Sequence, residues 1–347
     1  MQKIATALLS YGMSGKVFHA PFLELHPGFE LIGAWERSKK KIHEDYPLVK
    51  SYGTLDEVLA DPEVELIIVN TPTETHFDYA KQALLAGKNV LVEKAFTTTA
   101  AEAEELRDLA IESKRKLTVF QNRRWDSDFK TVKDIFDKQI LGSIVEAEIH
   151  FDRFNPNLSA KPHKEVKSPG SGVLKDLGPH IIDQALVLFG FPDSLFADVR
   201  STRQNSVVDD WFDITLFYDT FRVRVKSSYF VREPLPSYIL HGKKGSFLKS
   251  RGDVQEDDLK AGKKPMVTDW GKEPEFRSGV LHTEIEGLEV REHVPTLQGN
   301  YYHFFEELFQ YVKKSGKNPV PADDAVKTMK IIEAAIESSE TKTHITF

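Results

Sequence analysis

A chain of 347 residues is longer than one ordinary hydrophobic core accommodates and suits two domains. Hydrophobic residues at 40% and aromatics at 11% exclude a disordered chain, and a formal charge of −7 argues against a nucleic-acid partner, because phosphate neutralisation needs a basic face. With no cysteine there are no disulfides, thiolate metal sites or cysteine nucleophiles, and no apolar run approaches the roughly 18 residues of a membrane helix or follows Met1 as a signal peptide would, so the sequence reads as a soluble, cytoplasmic protein without a membrane partner.

The first third alternates strand and helix. Residues 4–9 read as a strand and 15–25 as a helix. A second strand covers 29–35, followed by a charged helix start at 38–41. Thr54 with Glu57 three residues on predicts a capped helix over 54–59. Residues 66–69 form a β-branched buried strand, and 76–86 a helix that stops at Gly87. A strand at 89–92, a long helix at 99–113 and a strand at 117–120 complete the run. Strands that are apolar throughout, each followed by a helix, predict a doubly wound parallel sheet with its ligand crevice at the strand C-termini.

Beyond residue 122 the rhythm changes to longer alternating segments at 144–152, 194–201, 212–218, 222–229 and 238–242. In Phe221-Arg222-Val223-Arg224-Val225-Lys226 the period of two is plain. It predicts an open, mainly antiparallel sheet with one solvated or partner-facing side. Helices are expected at 128–139, 179–189, 301–314 and 322–339, and loops with hairpins over 252–295. The reading is therefore an α/β protein, with a doubly wound domain over 1–122 and an α+β domain with an open, mainly antiparallel sheet over 123–347.

After the first strand comes Ser10-Tyr11-Gly12-Met13-Ser14-Gly15. A dinucleotide turn needs glycine where the chain bends, approaches the pyrophosphate and packs helix on strand; Ser10, Gly12 and Gly15 hold those places, the first glycine being replaced. Glu36, about 20 residues on, stands where an acidic group binds a ribose 2′-hydroxyl. Arg37, Ser38 and Lys39 suit a 2′-phosphate instead, so NAD and NADP both remain open, with a lean to NADP. At the end of the strand at 89–92 comes Glu93-Lys94-Ala95, and downstream Asp176-Leu177-Gly178-Pro179-His180. A neutral histidine suits removal of a hydroxyl proton, and a nearby ammonium stabilises developing alkoxide charge. Proline favours a first helical turn, which puts His180 at a helix start. Asp183 rivals Asp176 as its partner, and Asp176 alone could merely cap that helix. No metal site is expected, since His293 and His303 lack acidic partners at ligand spacing.

Several ordered segments carry a wider resemblance: 11–21, Thr71-Pro72-Thr73-Glu74-Thr75-His76, 87–94, Asn122-Arg123-Arg124-Trp125-Asp126-Ser127-Asp128-Phe129 and 176–180. Together they resemble the glucose–fructose oxidoreductase/inositol dehydrogenase/MocA-like family over essentially the whole chain. Residues 121–129, 150–154 and 241–247 resemble its scyllo-inositol dehydrogenase-like branch. The resemblance implies an NAD(P)-dependent oxidoreductase acting on the CH–OH group of a cyclic polyol, sugar or keto-sugar, with a dinucleotide-binding Rossmann domain over 1–122 and a substrate-binding and oligomerisation domain over 123–347. It places Lys94, Asp176 and His180 at the family's catalytic positions, with His180 as acid/base. It also implies cofactor contacts from Tyr11, Gly12, Met13, Ser14, Gly15, Glu36, Arg37, Thr71, Pro72, Thr73, His76, Glu93, Lys94 and Asn122. Arg124, Asp152 and Tyr301 are implied on the substrate side. Two departures stand out: Ser10 where the family has glycine, and Ala95 where it has proline. They motivate an alternative, a non-catalytic nucleotide-binding regulator; a third reading is a related oxidoreductase acting on a non-sugar. A homodimer is the default assembly, since two-fold dimers are the commonest closed oligomers.

Overall fold

The structure is a computed structural model that describes residues 2–36, 39–159 and 165–347. The chain divides into two compact units. The first comprises Met1–Trp125, Val254–Trp270 and Asn300–Val326, and the second Asp126–Asp253, Gly271–Gly299 and Lys327–Phe347.

In the first unit the strands are β1 (Ile4–Leu8), β2 (Phe29–Trp35), β3 (Lys50–Tyr52), β4 (Leu66–Val69), β5 (Asn89–Val92) and β6 (Leu117–Val119). They form one parallel sheet in the order β3-β2-β1-β4-β5-β6. That order reverses at β1/β4, so the crevice for a dinucleotide opens where the β1 and β4 C-termini diverge. Leu66, Ile67, Ile68 and Val69 are all buried, as a strand covered on both faces requires. The Thr54 hydroxyl accepts the Glu57 amide at 3.2 Å, and Thr99 with Glu102 makes a reciprocal cap on the helix Ala100–Glu112.

Two later segments complete this unit. The Tyr301 amide donates to Gln255 Oε1 at 2.8 Å, the Asn300 amide to the Trp125 carbonyl at 3.1 Å, and the Val119 amide to the Val320 carbonyl at 3.2 Å. The helix Tyr302–Lys314 brings Phe305 into a stacked contact with Phe22, centroids 5.3 Å apart, and Phe304 against Phe120. Within the stretch expected to be loops and hairpins there is a helix, Gln255–Lys260. Its buried residues are Gln255 and Leu259, too few apolar positions to give a helical period.

The second unit carries a nine-stranded sheet. Its strands are β7 (Ile144–His150), β8 (Ser194–Arg200), β9 (Trp211–Phe217), β10 (Arg222–Ser228), β11 (Tyr238–Gly242), β12 (Gly245–Lys249), β13 (Gly279–Ile285), β14 (Leu288–Val294) and β15 (Ile345–Thr346). The order is β14-β13-β12-β11-β7-β10-β9-β8-β15. All neighbours are antiparallel except β7 and β10, which run parallel. The alternation in β10 is realised: Val223 and Val225 are fully buried, while Arg222 and Arg224 are exposed. Arg224 is not left bare, since its Nε donates to Asp213 Oδ1 on β9 at 2.9 Å. The helices Ser127–Asp137 and Gly178–Phe189 belong to this unit.

Among the described residues no helix is long and apolar enough to cross a membrane.

Candidate active site

The turn after β1 is built by side chains as well as by glycine. The Gly12 amide donates to Ser10 Oγ at 3.1 Å, so the serine that replaces the first glycine of the fingerprint bonds to the turn it occupies. Asn70, directly after β4, donates from Nδ2 to the Ser10 carbonyl at 2.8 Å and closes the turn from the other side of the switch point. A Cβ on Gly15 would lie 2.4 Å from the Ser10 carbonyl oxygen, so only glycine lets this helix start so close to the strand. A Cβ on Gly12 would meet nothing nearer than Ser10 Oγ at 3.4 Å, which leaves the backbone there open to approach. Met13 is exposed beside it. This cradle fits a dinucleotide pyrophosphate: exposed backbone at a helix start, with the tight packing that the third glycine serves.

Glu93 and Lys94 follow β5. The Glu93 carboxylate points at the glycine turn: it accepts the Ser14 hydroxyl and lies 2.9 Å from His19 Nε2, while its second oxygen accepts the Lys94 amide at 3.1 Å. Burial alone would raise this carboxyl; His19, Ser14 and the Lys94 charge outweigh it and hold it below the usual range. His19 is fully buried against the Phe120 ring, at a centroid distance of 4.5 Å. Glu93, which the resemblance places at the cofactor, thus acts here as a strut between the turn and the lysine.

His76 is a second strut. Its Nδ1 lies 2.8 Å from the Ala95 carbonyl oxygen and its Nε2 2.8 Å from that of Thr71. Burial pulls its pKa below the ordinary histidine value, against the Thr71 and Ala95 carbonyls, which favour a proton on the ring. The Lys94–Ala95 peptide is cis. Thr71 also meets Thr75, with hydroxyl oxygens 2.6 Å apart, so the turn Thr71-Pro72-Thr73 is held from both ends. Lys94 is therefore fixed by its two neighbours in sequence, one tied to the glycine turn and one to the turn after β4.

The other predicted residues are placed as follows. Glu36, after β2, accepts the backbone amides of Lys41 and Ile42, one on each oxygen, both at 3.0 Å. Arg37 lies outside the described residues, as does Ser38. The Tyr11 hydroxyl donates to Asp45 at 2.8 Å, and Lys16 reaches the same oxygen at 2.7 Å. Asn122 is buried in the single turn Asn122–Trp125 after β6, and Arg124 Nη2 donates to Asp324 at 3.0 Å. Tyr301 is fully buried, its ring 6.4 Å from Phe18 and 6.1 Å from Phe22. All of these belong to the first unit.

Asp152, Asp176 and His180 belong to the second. Asp152 follows β7. Its Oδ1 accepts the Ser228 amide at 2.9 Å, and its Oδ2 stands 3.6 Å from His150 Nδ1. Burial raises its pKa, against the pull of His150 and Lys226. Asp176 closes the short helix Val173–Asp176, and buried His180 opens the next, Gly178–Phe189, with Pro179 in its first turn. Asp183 is buried on that helix as well. Among the described residues no group of three or more histidine and carboxylate side chains could hold a metal ion.

Sequence reading missed His19 and Asn70. Both act on partners distant in sequence, His19 on Glu93 74 positions away and Asn70 on Ser10 60 positions away, and no local pattern announces such pairs.

Comparison with known proteins decides the family. A family model described as "Oxidoreductase family, NAD-binding Rossmann fold" matches residues 4–121, and one described as "Oxidoreductase family, C-terminal alpha/beta domain" matches residues 133–347. The chain belongs to the Gfo/Idh/MocA oxidoreductase family. Similar proteins include the oxidoreductase YdgJ of Escherichia coli K12, itself uncharacterised, 40% identical with 97% of this chain and 96% of YdgJ covered. Another is IolW of Bacillus subtilis, named as a scyllo-inositol 2-dehydrogenase (NADP(+)), 36% identical over 98% of this chain and 94% of IolW. The crystal structure of yvaA from Bacillus subtilis superposes with a TM-score of 0.96 at 34% identity, covering 100% of this chain and 99% of that one. As a member of the family, the chain is an oxidoreductase whose first domain is an NAD-binding Rossmann fold.

Proposed function

We propose that this family member transfers hydride between NADP and the CH–OH carbon of a cyclic polyol, sugar or keto-sugar of the inositol type. The observation that carries the reading is the fixing of the Lys94 main chain: its neighbour Glu93 bonds to Ser14 of the nucleotide turn and accepts the Lys94 amide, which sets this lysine at the end of β5. His180 takes the hydroxyl proton in oxidation and returns it in reduction, the acid/base role suited to an imidazole. Lys94 stabilises the negative charge that develops on the substrate oxygen, and Asp176 orients the hydroxyl. The nicotinamide supplies the hydride acceptor or donor. Arg124, Asp152 and Tyr301 belong to the substrate side of this reading. The relation to IolW over nearly the full length of both chains supports the polyol class. The test is reduction of NADP by scyllo-inositol and other cyclic polyols, read from the absorbance of the reduced nicotinamide. Turnover of acyclic or non-sugar alcohols alone would move the substrate elsewhere.

NADP is favoured over NAD by the state of Glu36. Each of its carboxylate oxygens accepts a backbone amide at the start of the helix Ile42–Asp45, which lowers its demand for a ribose hydroxyl in this reading. Lys39, Lys40 and Lys41, beyond Arg37 and Ser38 in the sequence, are exposed, a setting suited to a 2′-phosphate. NADPH at about 100 times its dissociation constant adds roughly 2.7 kcal/mol and raises the unfolding midpoint by several degrees. NADH at the same concentration gives a smaller rise. The reverse order would return Glu36 to the ribose.

A homodimer formed through the nine-stranded sheet is part of the same reading. Phe196, Trp211 and Phe217 occupy one face in alternation with buried residues and stay partly exposed, which suits a face covered by a second copy. Light scattering of the purified chain measures this directly.

A further inference from the structure

The turn that presents Asp176 and His180 is held by a residue that no motif singles out. Asp209, just before β9, grips the start of the helix Val173–Asp176 twice: its carbonyl oxygen accepts the Val173 amide at 2.9 Å, and its Oδ2 accepts the Leu174 amide at 2.7 Å. The preceding residue, Gly172, has φ +96°, and a Cβ there would lie 1.8 Å from Asp209 Oδ1. The carboxylate therefore fills the space a side chain at 172 would need, and the glycine and the aspartate form one fitted pair.

Asp210 faces the other way. Its carboxylate accepts the Thr202 amide at 2.8 Å, the Arg203 amide at 3.0 Å and Arg203 Nε at 2.9 Å. Arg203 continues to Glu165 at 3.0 Å and to the Asn157 carbonyl at 3.1 Å. With Asp210 fixed in this way, Asp209 is anchored where it meets the turn. We propose that Asp209 is the positioning residue for the acid/base pair, holding the turn that carries Asp176 and His180 only while its carboxylate is ionised. This proposal rests on the assignment of that pair to catalysis.

The charge state of Asp209 is poised near neutrality. Burial pushes its carboxyl up to about 6, helped by the negative Asp210 and opposed by the Leu174 amide and by Lys175. Tyr229, which follows β10, feels Asp176, Arg153, Arg203 and Asp209 together. Ionised, Asp209 accepts strongly from an amide; protonated, it is a weaker acceptor.

Reduction of a keto-polyol removes one competing cause, because His180 is then the proton donor and its protonation does not lower the rate. The wild-type rate is expected to fall as pH drops below about 6. Asp209→Asn keeps the shape and an acceptor oxygen but removes the charge. It should lower kcat by up to about 10²-fold at pH 7.5 through misplacement of the acid/base pair, with KM for the nucleotide unchanged, and it should abolish the acid-side fall. Hydrogen exchange separates this from failure of the catalytic assignment. In a peptide covering 173–177, Asp209→Asn should exchange faster than wild type at pH 7.5 and alike at pH 5, whether or not any substrate turns over. An Asn variant with wild-type kcat, or with the acid-side fall intact, or with no change in exchange at pH 7.5, would overturn the proposal.

Discussion

Lys94→Ala should lower kcat by roughly 10²–10³-fold while leaving NADPH affinity within a few-fold of wild type, the range expected when one preorganised charge-stabilising donor is removed. The side chain follows a strand whose last three residues are buried, and its backbone is fixed from both sides through Glu93 and Ala95. Truncation at Cβ leaves those bonds in place, since the struts use the Glu93 carboxylate, the His76 ring and main-chain atoms. Loss of turnover without loss of nucleotide binding would therefore report the ammonium itself. Single-turnover rates with pre-bound nucleotide, beside a binding titration, make the separation. A variant with wild-type kcat would remove Lys94 from the chemistry, and one unable to bind NADPH would make it a cofactor residue.

The largest effect on stability is expected in the second unit, at Lys249. Its side chain and that of Glu273 are both fully buried. The ammonium donates to Glu273 at 2.6 Å, to the Arg277 carbonyl at 2.9 Å and to the Ser250 carbonyl at 3.2 Å, and Glu273 also accepts the Ser127 hydroxyl at 2.6 Å. Lys249→Ala strands a carboxylate inside the unit and should cost about 3–5 kcal/mol, the usual penalty for removing one partner of a buried pair. The unfolding midpoint should fall on the order of 10 °C. Burial already raises the Glu273 carboxyl above its ordinary value. Without the lysine it rises further, so the stability of the variant is lost as pH climbs through that folded pKa. The deficit against wild type should accordingly be larger at pH 8 than at pH 5. Replacing both residues with methionine removes the stranded charge and should recover much of the loss. Thermal unfolding of the two variants at the two pH values checks each point; a deficit independent of pH would assign the loss to packing.

The parallel sheet was legible because its physics is local. A strand buried on both faces, such as Leu66–Val69, must be apolar at every position, and a helix that starts at Thr99 with Glu102 in place carries its own cap. Short strands failed that test: Lys50–Tyr52 buries only Tyr52, and Gly245–Lys249 includes a lysine whose burial depends on Glu273, 24 positions away. The same divide runs through the site. The placement of Gly12 and Gly15 in a turn, Lys94 at a strand end and His180 at a helix start could be read because those features are sequence-local. The parts that fix them could not be. The bonds of His19 and Ser14 to the Glu93 carboxylate, and the fit of Asp209 against Gly172, join residues far apart in the chain. Glu36 reads as a ribose ligand from spacing alone, and its bonds to the amides of Lys41 and Ile42 were not legible there.

The central claim is hydride transfer between a polyol carbon and NADP, and isotope tracing tests it most directly. The wild-type protein, incubated with NADP and scyllo-inositol deuterated at its ring carbons, should yield reduced nucleotide carrying one deuterium, with loss of label from Lys94→Ala reactions. Nucleotide binding without deuterium transfer from this or any other deuterated cyclic polyol would contradict the account.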